Sequence, residues 1–360
     1  MNLVVCPSPT FAIYLLAYVA QFGEGRTFHF VIIGSQDLPA ELVKQSVSLN
    51  VKFISENDIE SQQYEELIIH SYFLFKNQSD FIASVNFKVL TYYSDGIRNG
   101  FYGLPSIDSR LRKLIYFGLK LRETSFELSI PNSIADIECQ VVSLEEIGRT
   151  WKSLCNDSAL EIPNIFTSRD LLIVMRYWSM PGSHYEFCSN RTMLNYLQDE
   201  LADLKGINRV IYRSDPRFDH AIGILELQKI FGDKVEIVLW KELFRVQSNF
   251  PVLAEPESVI YAAKNGPRYF LGFDSSLNVL VGKYWNDTEI LWPTYPIFEQ
   301  YFHLPRSTSF VEEQVNWMKA IEKNTSGVSG LEIMVGGFEI EQTITRMTLE
   351  SYALEREERP

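Results

Sequence analysis

Short, wholly apolar runs separated by amphipathic stretches recur from the first residues of this chain, and few architectures accept that pattern. Leu3-Val4-Val5-Cys6 reads as a strand, Thr10 to Phe22 as a helix, and Phe28 to Ile33 as a second strand closed by Gly34. Leu38 to Val47 then reads as a helix, Val51 to Ile54 as extended, Gln62 to Phe75 as a helix, and Lys88 to Tyr92 as a strand. The strands lack the alternation of a one-sided sheet. Apolar on both faces, they call for a parallel sheet covered above and below by helices.

The same alternation returns later. Glu138 to Val142 reads as a strand, and Ser143-Leu144-Glu145-Glu146 has the capping-box spacing that opens a helix towards Leu154. Past Pro163, Leu171 to Met175, Asn208 to Tyr212, Val235 to Leu239 and Tyr269 to Phe273 are β-type runs. Helices are expected over Thr192 to Leu204, His220 to Phe231 and Pro256 to Lys264, with a long one over Ser309 to Lys323. The acidic stretch from Glu339 to Pro360 reads as a peripheral, fraying helix. A chain of 360 residues exceeds one ordinary core. The expectation is therefore α/β: a Rossmann-like domain over 1–160, a second over 161–305, and C-terminal helices over 306–360 packing back on the lobes. Two such units with a closing helix suggest the two-lobed GT-B architecture, the domains facing each other across a ligand cleft.

Composition excludes several alternatives. Hydrophobic residues make up 46% and aromatic residues 13%, too much for a disordered chain. A net charge of −13 argues against a general nucleic-acid binder, which displaces counterions with a basic surface. Cys6, Cys139, Cys155 and Cys188 are widely spaced and read as free thiols in a reducing compartment. The N-terminus has no basic segment ahead of its apolar run, and Phe11 to Phe22 is shorter than the roughly 20 residues of a membrane span. A cytoplasmic protein is expected. No G-x-G-x-x-G or G-x-x-x-x-G-K-[ST] loop is present, against dinucleotide or P-loop chemistry.

Open α/β sheets bind ligands beyond the carboxyl ends of their strands, which directs attention to three strand ends. Ser94-Asp95-Gly96 follows the first. There Asp95 is either part of a plain Asp-Gly turn or a carboxylate whose pKa rises at the rim of a sheet, suited to take a proton. Arg213-Ser214-Asp215-Pro216-Arg217 follows the second. It is an Asp-Pro turn with solvated charges, or an arginine-lined seat for a phosphate. Gly272-Phe273-Asp274-Ser275-Ser276 follows the third, where hydroxyls and free N–H groups cap a helix or hold an anion.

Taken in order, these motifs resemble those of the bacterial GT-B sialyltransferases and polysialyltransferases, which use CMP-activated nonulosonic acids. Ser94-Asp95-Gly96 is similar to their acidic motif, with serine in place of the leading acid. Asp215-Pro216 is similar to their His-Pro motif, with aspartate for histidine, and Ser275-Ser276 matches their Ser-Ser pair. Pro7-Ser8-Pro9-Thr10 is also similar to the start of these enzymes. The resemblance runs from Leu3 to about Val281.

It implies Asp95 as general base on the acceptor hydroxyl, Ser275 and Ser276 on the CMP phosphate, and Glu257 on the donor ribose. Arg213 and Pro216 would shape the donor seat. Asp215 would stand by the leaving phosphate, where an ionised carboxylate is repelled unless Arg213, Arg217 or His220 offsets it. This departure leaves room for a related donor such as CMP-Kdo, and for a non-catalytic subunit of a polysaccharide-synthesis complex. Without an Asp-x-Asp motif, metal-independent transfer is expected, with no cofactor beyond the CMP-sugar donor. The implied partner is a glycan or glycolipid acceptor, with peripheral contact at the inner membrane left open. His29, His70 and most of the late aromatic residues (Trp285, Trp292, Tyr295, Tyr301) are assigned to packing, and His184 to a loop near the donor.

Overall fold

The computed structural model describes residues 1–33, 40–59, 62–70, 78–94, 108–118, 137–157, 165–174, 198–199, 201, 204, 206–213, 224–243, 256–272 and 277–291. Two fully parallel sheets organise them. The first contains β1 (Asn2–Cys6), β2 (Phe28–Ile32), β3 (Val51–Phe53), β4 (Gln63–His70), β5 (Asn86–Tyr93), β6 (Leu111–Gly118) and β7 (Glu138–Ser143) in the order β3-β2-β1-β4-β5-β6-β7. The second contains β8 (Asp170–Val174), β9 (Arg209–Arg213), β10 (Glu236–Leu239), β11 (Tyr269–Gly272) and β12 (Glu289–Leu291) in the order β10-β9-β8-β11-β12. Both are doubly wound, Rossmann-like sheets, and the α/β expectation holds.

Helices α1 (Pro9–Phe22), α2 (Ala40–Ser48), α3 (Gln78–Ser84) and α4 (Leu144–Asp157) connect the first sheet. Helices α5 (Ile224–Phe231), α6 (Trp240–Leu243), α7 (Pro256–Ala262) and α8 (Leu277–Tyr284) follow. Residues Ala12 to Val19 of α1 are all buried, so this helix is apolar around its whole circumference. Such a helix needs cover on every side. The sheet lies on one flank of α1 and α4 packs along it, where Trp151 stands edge-on to Tyr14 at 6.2 Å. The opposite sheet face buries a second cluster that includes Leu3, Leu67, Leu90, Tyr92 and Leu114.

The first compact unit comprises β1 to β7, α1 to α4 and, from much later in the chain, α7; the second holds β8 to β12 with α5, α6 and α8. Helix α7 packs on α4, and the Cys155 thiol donates to the Ser258 carbonyl at 3.8 Å. Cys6, Cys139 and Cys155 are free thiols. No helix among the described residues is long and apolar enough to cross a membrane.

Two local expectations change. The stretch expected as a helix over Gln62 to Phe75 is strand β4 as far as His70, with 71–75 outside the described residues. A helix would spread consecutive Leu67, Ile68 and Ile69 around its circumference. A central parallel strand buries all three between β1 and β5 and accepts the β-branched pair. Strands β6 and β12 and helices α3 and α6 have no counterpart in the expected elements.

The capping box at α4 forms only in half. The Ser143 hydroxyl accepts from the Glu146 N–H at 3.1 Å, but the Ser143 N–H donates to the Gln21 side chain of α1 at 2.8 Å, and the Glu146 carboxylate pairs with Arg149. Ser143→Ala is expected to cost about 1 kcal/mol by chemical denaturation, the usual value of one N-cap hydrogen bond.

Candidate functional site

A doubly wound sheet offers its crevice where the strand order reverses. In the first sheet the chain runs from β1 outward through β2 and β3, then returns to β4 on the other side, so reversal falls between β1 and β4. In the second sheet it falls between β8 and β11.

At the first carboxyl edge, β1 ends in Cys6, whose carbonyl accepts from the Ile33 N–H at 2.9 Å. Burial pushes the Cys6 thiol well above its ordinary pKa, so it stays protonated and is no nucleophile. Strand β4 ends in His70, buried edge-on between Phe11 at 4.9 Å and Tyr93 at 5.1 Å. The Tyr93 hydroxyl donates to the Val5 carbonyl at 2.7 Å, tying β5 across β4 to β1. Ser94 follows, fully buried, with its N–H donating to the Ile115 carbonyl at 2.9 Å. A carboxylate at this interior position would need a cationic partner, which a serine does not. Asp95 is the next residue and lies outside the described residues.

At the second carboxyl edge, Val174 of β8 is in register with Gly272 of β11 on one side and Arg213 of β9 on the other. The three strands therefore end at one level, with β8 in the middle. Arg213 is half-buried as the last residue of β9. Asp215 and Pro216 lie outside the described residues, between β9 and α5. Ser275 and Ser276 do too, between β11 and α8, and so does His184. Glu257 is half-buried in the first turn of α7, a helix of the first unit.

The two motif-bearing connections thus leave β9 and β11, the strands on either side of β8, with only the second bordering the reversal point. The Asp95 connection leaves one strand beyond the other reversal point. The bracing role of Tyr93, and the place of His70 at a strand end, were not anticipated from sequence. The helical reading of 62–75 concealed them, although the aromatic pair Tyr92-Tyr93 at the end of an apolar run was a usable signal.

No protein-family model matches this chain. No curated protein is similar to it in sequence. Among solved structures it is similar to an alpha/beta-galactoside alpha-2,3-sialyltransferase from the luminous marine bacterium Photobacterium phosphoreum, at 10% identity and a TM-score of 0.43 over 88% of this chain and 95% of that one. It is also similar to a UDP-glucosyltransferase from Polygonum tinctorium capable of glucosylating indoxyl, at 11% identity and a TM-score of 0.38 over 97% of this chain and 93% of that one.

Proposed function

We propose that this chain is a glycosyltransferase of GT-B architecture that moves a nonulosonic acid from its CMP-activated form to a glycan or glycolipid acceptor. The observation that carries this reading is the level ending of β9, β8 and β11. The arginine-bearing and the double-serine connections leave β9 and β11, the two strands on either side of β8, at the carboxyl edge where open α/β sheets take their ligands. In this reading Asp95 takes the proton of the acceptor hydroxyl as that oxygen bonds to the anomeric carbon. The bond from that carbon to the CMP phosphate breaks, and its electron pair leaves on the phosphate oxygen. Arg213, Ser275 and Ser276 supply hydrogen bonds to the departing charge without a metal, and Glu257 holds the ribose hydroxyls. Pro216 fixes the backbone beside the phosphate. Asp215 keeps its place there by facing an arginine or by carrying a proton. Such an enzyme would work in the cytoplasm, at the inner face of the membrane where lipid-borne acceptors are exposed.

Calorimetric titration with CMP, followed by a donor screen, tests the proposal. The wild type is expected to bind CMP. Ser275→Ala combined with Ser276→Ala should weaken that binding by about a hundredfold or more, since each of the two hydrogen bonds to a charged group contributes about 1.5–3 kcal/mol. Product formation with CMP-sialic, CMP-legionaminic, CMP-pseudaminic acid or CMP-Kdo then identifies the donor, and NMR of the product its anomeric configuration. Absence of both CMP binding and transfer would leave a non-catalytic subunit, the reading that aspartate in the histidine position favours.

A further inference from the structure

The second unit has a concavity of about 850 Å³ at the edge of its sheet opposite the one described above. It lies at the amino ends of β8, β9, β11 and β12, and its wall comes from 166–169, Gly206, Asn208, 264–268 and 284–287. Its volume is in the range of small-molecule sites. Three cations line it, Arg169, Lys264 and Arg268, against one carboxylate, Asp287. The whole chain has 33 basic and 46 acidic residues, so this local excess runs against composition. Among the described residues none of the three cations forms an ion pair, whereas nearby Arg209 is bound to Asp170 at 2.5 Å.

The wall is built to hold its shape. Gly206 has φ +79°, and a Cβ there would sit 3.2 Å from the Arg268 guanidinium, which lies over it. Gly266 is pressed so close to the neighbouring turn that a Cβ would fall 2.3 Å from the Thr288 hydroxyl and 2.6 Å from the Trp285 ring. The Thr288 hydroxyl donates to the Pro267 carbonyl at 2.7 Å, and the Glu289 N–H to the Arg268 carbonyl at 2.8 Å. Trp285 is 2% exposed, braced edge-on by Phe166 at 5.2 Å. Its indole N–H has no hydrogen-bond partner among the described residues. A buried donor without an acceptor is costly, and native interiors retain few.

We propose that this concavity is a second ligand site, which takes a small, multiply charged oxyanion. Two guanidinium groups and an ammonium supply directed and point-charge recognition of phosphate or carboxylate oxygens. The amides of Asn208, Asn265 and Asn286 add neutral donors around them. Because the site occupies the amino edge of the sheet, it is separate from any nucleotide held at the carboxyl edge, and it stands whether or not the chain is a transferase.

The full chain is titrated calorimetrically with inorganic pyrophosphate and, in parallel, with citrate, each in the presence of saturating CMP. The indole N–H resonances of the six tryptophans are followed by NMR. Binding of either probe, with one indole resonance shifted and the affinity falling as salt rises, is the expected result, and the stronger probe tells phosphate from carboxylate. Arg169→Gln combined with Lys264→Gln, both at exposed positions, should weaken binding at least about tenfold with an unchanged unfolding midpoint. Arg268→Lys, which keeps the charge, should weaken it less. Binding unaffected by the double substitution, or none of either probe at millimolar concentration, would overturn the proposal.

Discussion

Asp95→Ala is expected to lower glycosyl transfer by about 10²–10⁴-fold while leaving CMP affinity within about twofold, the signature of a general base that touches acceptor and not donor. In the proposed reading, the residues before it supply the anchorage such a base needs. Tyr93 is tied to Val5 by its hydroxyl, and Ser94 is enclosed and bonded to Ile115, so the chain reaches Asp95 from a support fixed on two sides. A proton acceptor must meet the substrate oxygen within hydrogen-bond distance, a demand that a well-anchored preceding strand helps to meet. Asp95→Asn keeps the shape and removes the basicity, and should fall as far as the alanine variant. Measuring kcat and the CMP dissociation constant for both decides the matter. Full turnover in either variant removes Asp95 from the mechanism, and a parallel loss of CMP affinity would move it to the donor side.

The largest effect on stability is expected at Glu66. This carboxylate is 4% exposed in β4, where it accepts from the Thr91 hydroxyl at 2.5 Å and from Lys113 at 3.2 Å and pairs with Arg26. Arg26 is in turn held by the Asn2 side chain at 3.1 Å. Burial pushes the Glu66 carboxyl up, but Lys113, the Thr91 hydroxyl and Arg26 outweigh it and hold its pKa below the ordinary 4.5. Glu66→Gln leaves Lys113 without its counter-charge inside the sheet, so a loss of about 3–5 kcal/mol at neutral pH is expected from denaturant unfolding.

The pH dependence supplies the sign. The folded chain binds this proton less readily than the unfolded one, so the contribution is complete above the unfolded pKa and fades as pH falls through the folded value. The gap between wild type and Glu66→Gln should therefore be widest at neutral pH and narrow below about 4.5. A gap independent of pH down to acid unfolding would show that shape, and not charge, is what the position supplies.

Much of this architecture was readable in the residues. Continuous apolar runs such as Leu3 to Cys6 and Leu171 to Val174 have one common use, a strand buried on both faces, and both are central strands. Glu66 shows where that reasoning stops. Beside Glu65 it gave the stretch a polar face and the look of an amphipathic helix, because the cations that justify its burial, Arg26 and Lys113, are 40 and 47 residues away. Strand β6 hid for a similar reason. Its Arg112 and Lys113 interrupt the apolar run, and Lys113 becomes legible as an interior residue only once Glu66 is in place. The motifs after the strands are read from sequence alone, and Asp95, Asp215-Pro216 and Ser275-Ser276 lie outside the described residues, so the structure gives only the strand ends they leave from. The concavity at the amino edge of the second sheet was not legible in the residues, because its three cations come from two connections, Arg169 before β8 and Lys264 and Arg268 before β11, and only the parallel registration of those strands gathers them.

The return of α7 to the first unit sets an order of events during synthesis. Ile147, Trp151, Leu154 and Cys155 of α4 are buried in the finished molecule, and α7 packs on this helix with Val259 and Ile260 wholly or nearly enclosed. When the ribosome has delivered the first seven strands, it still has about a hundred residues to make before that covering helix emerges. Until then the part of α4 around Cys155, which packs against Ser258 of α7, lacks its final cover. The two halves of this protein are thus consecutive in the message but interleaved in maturation.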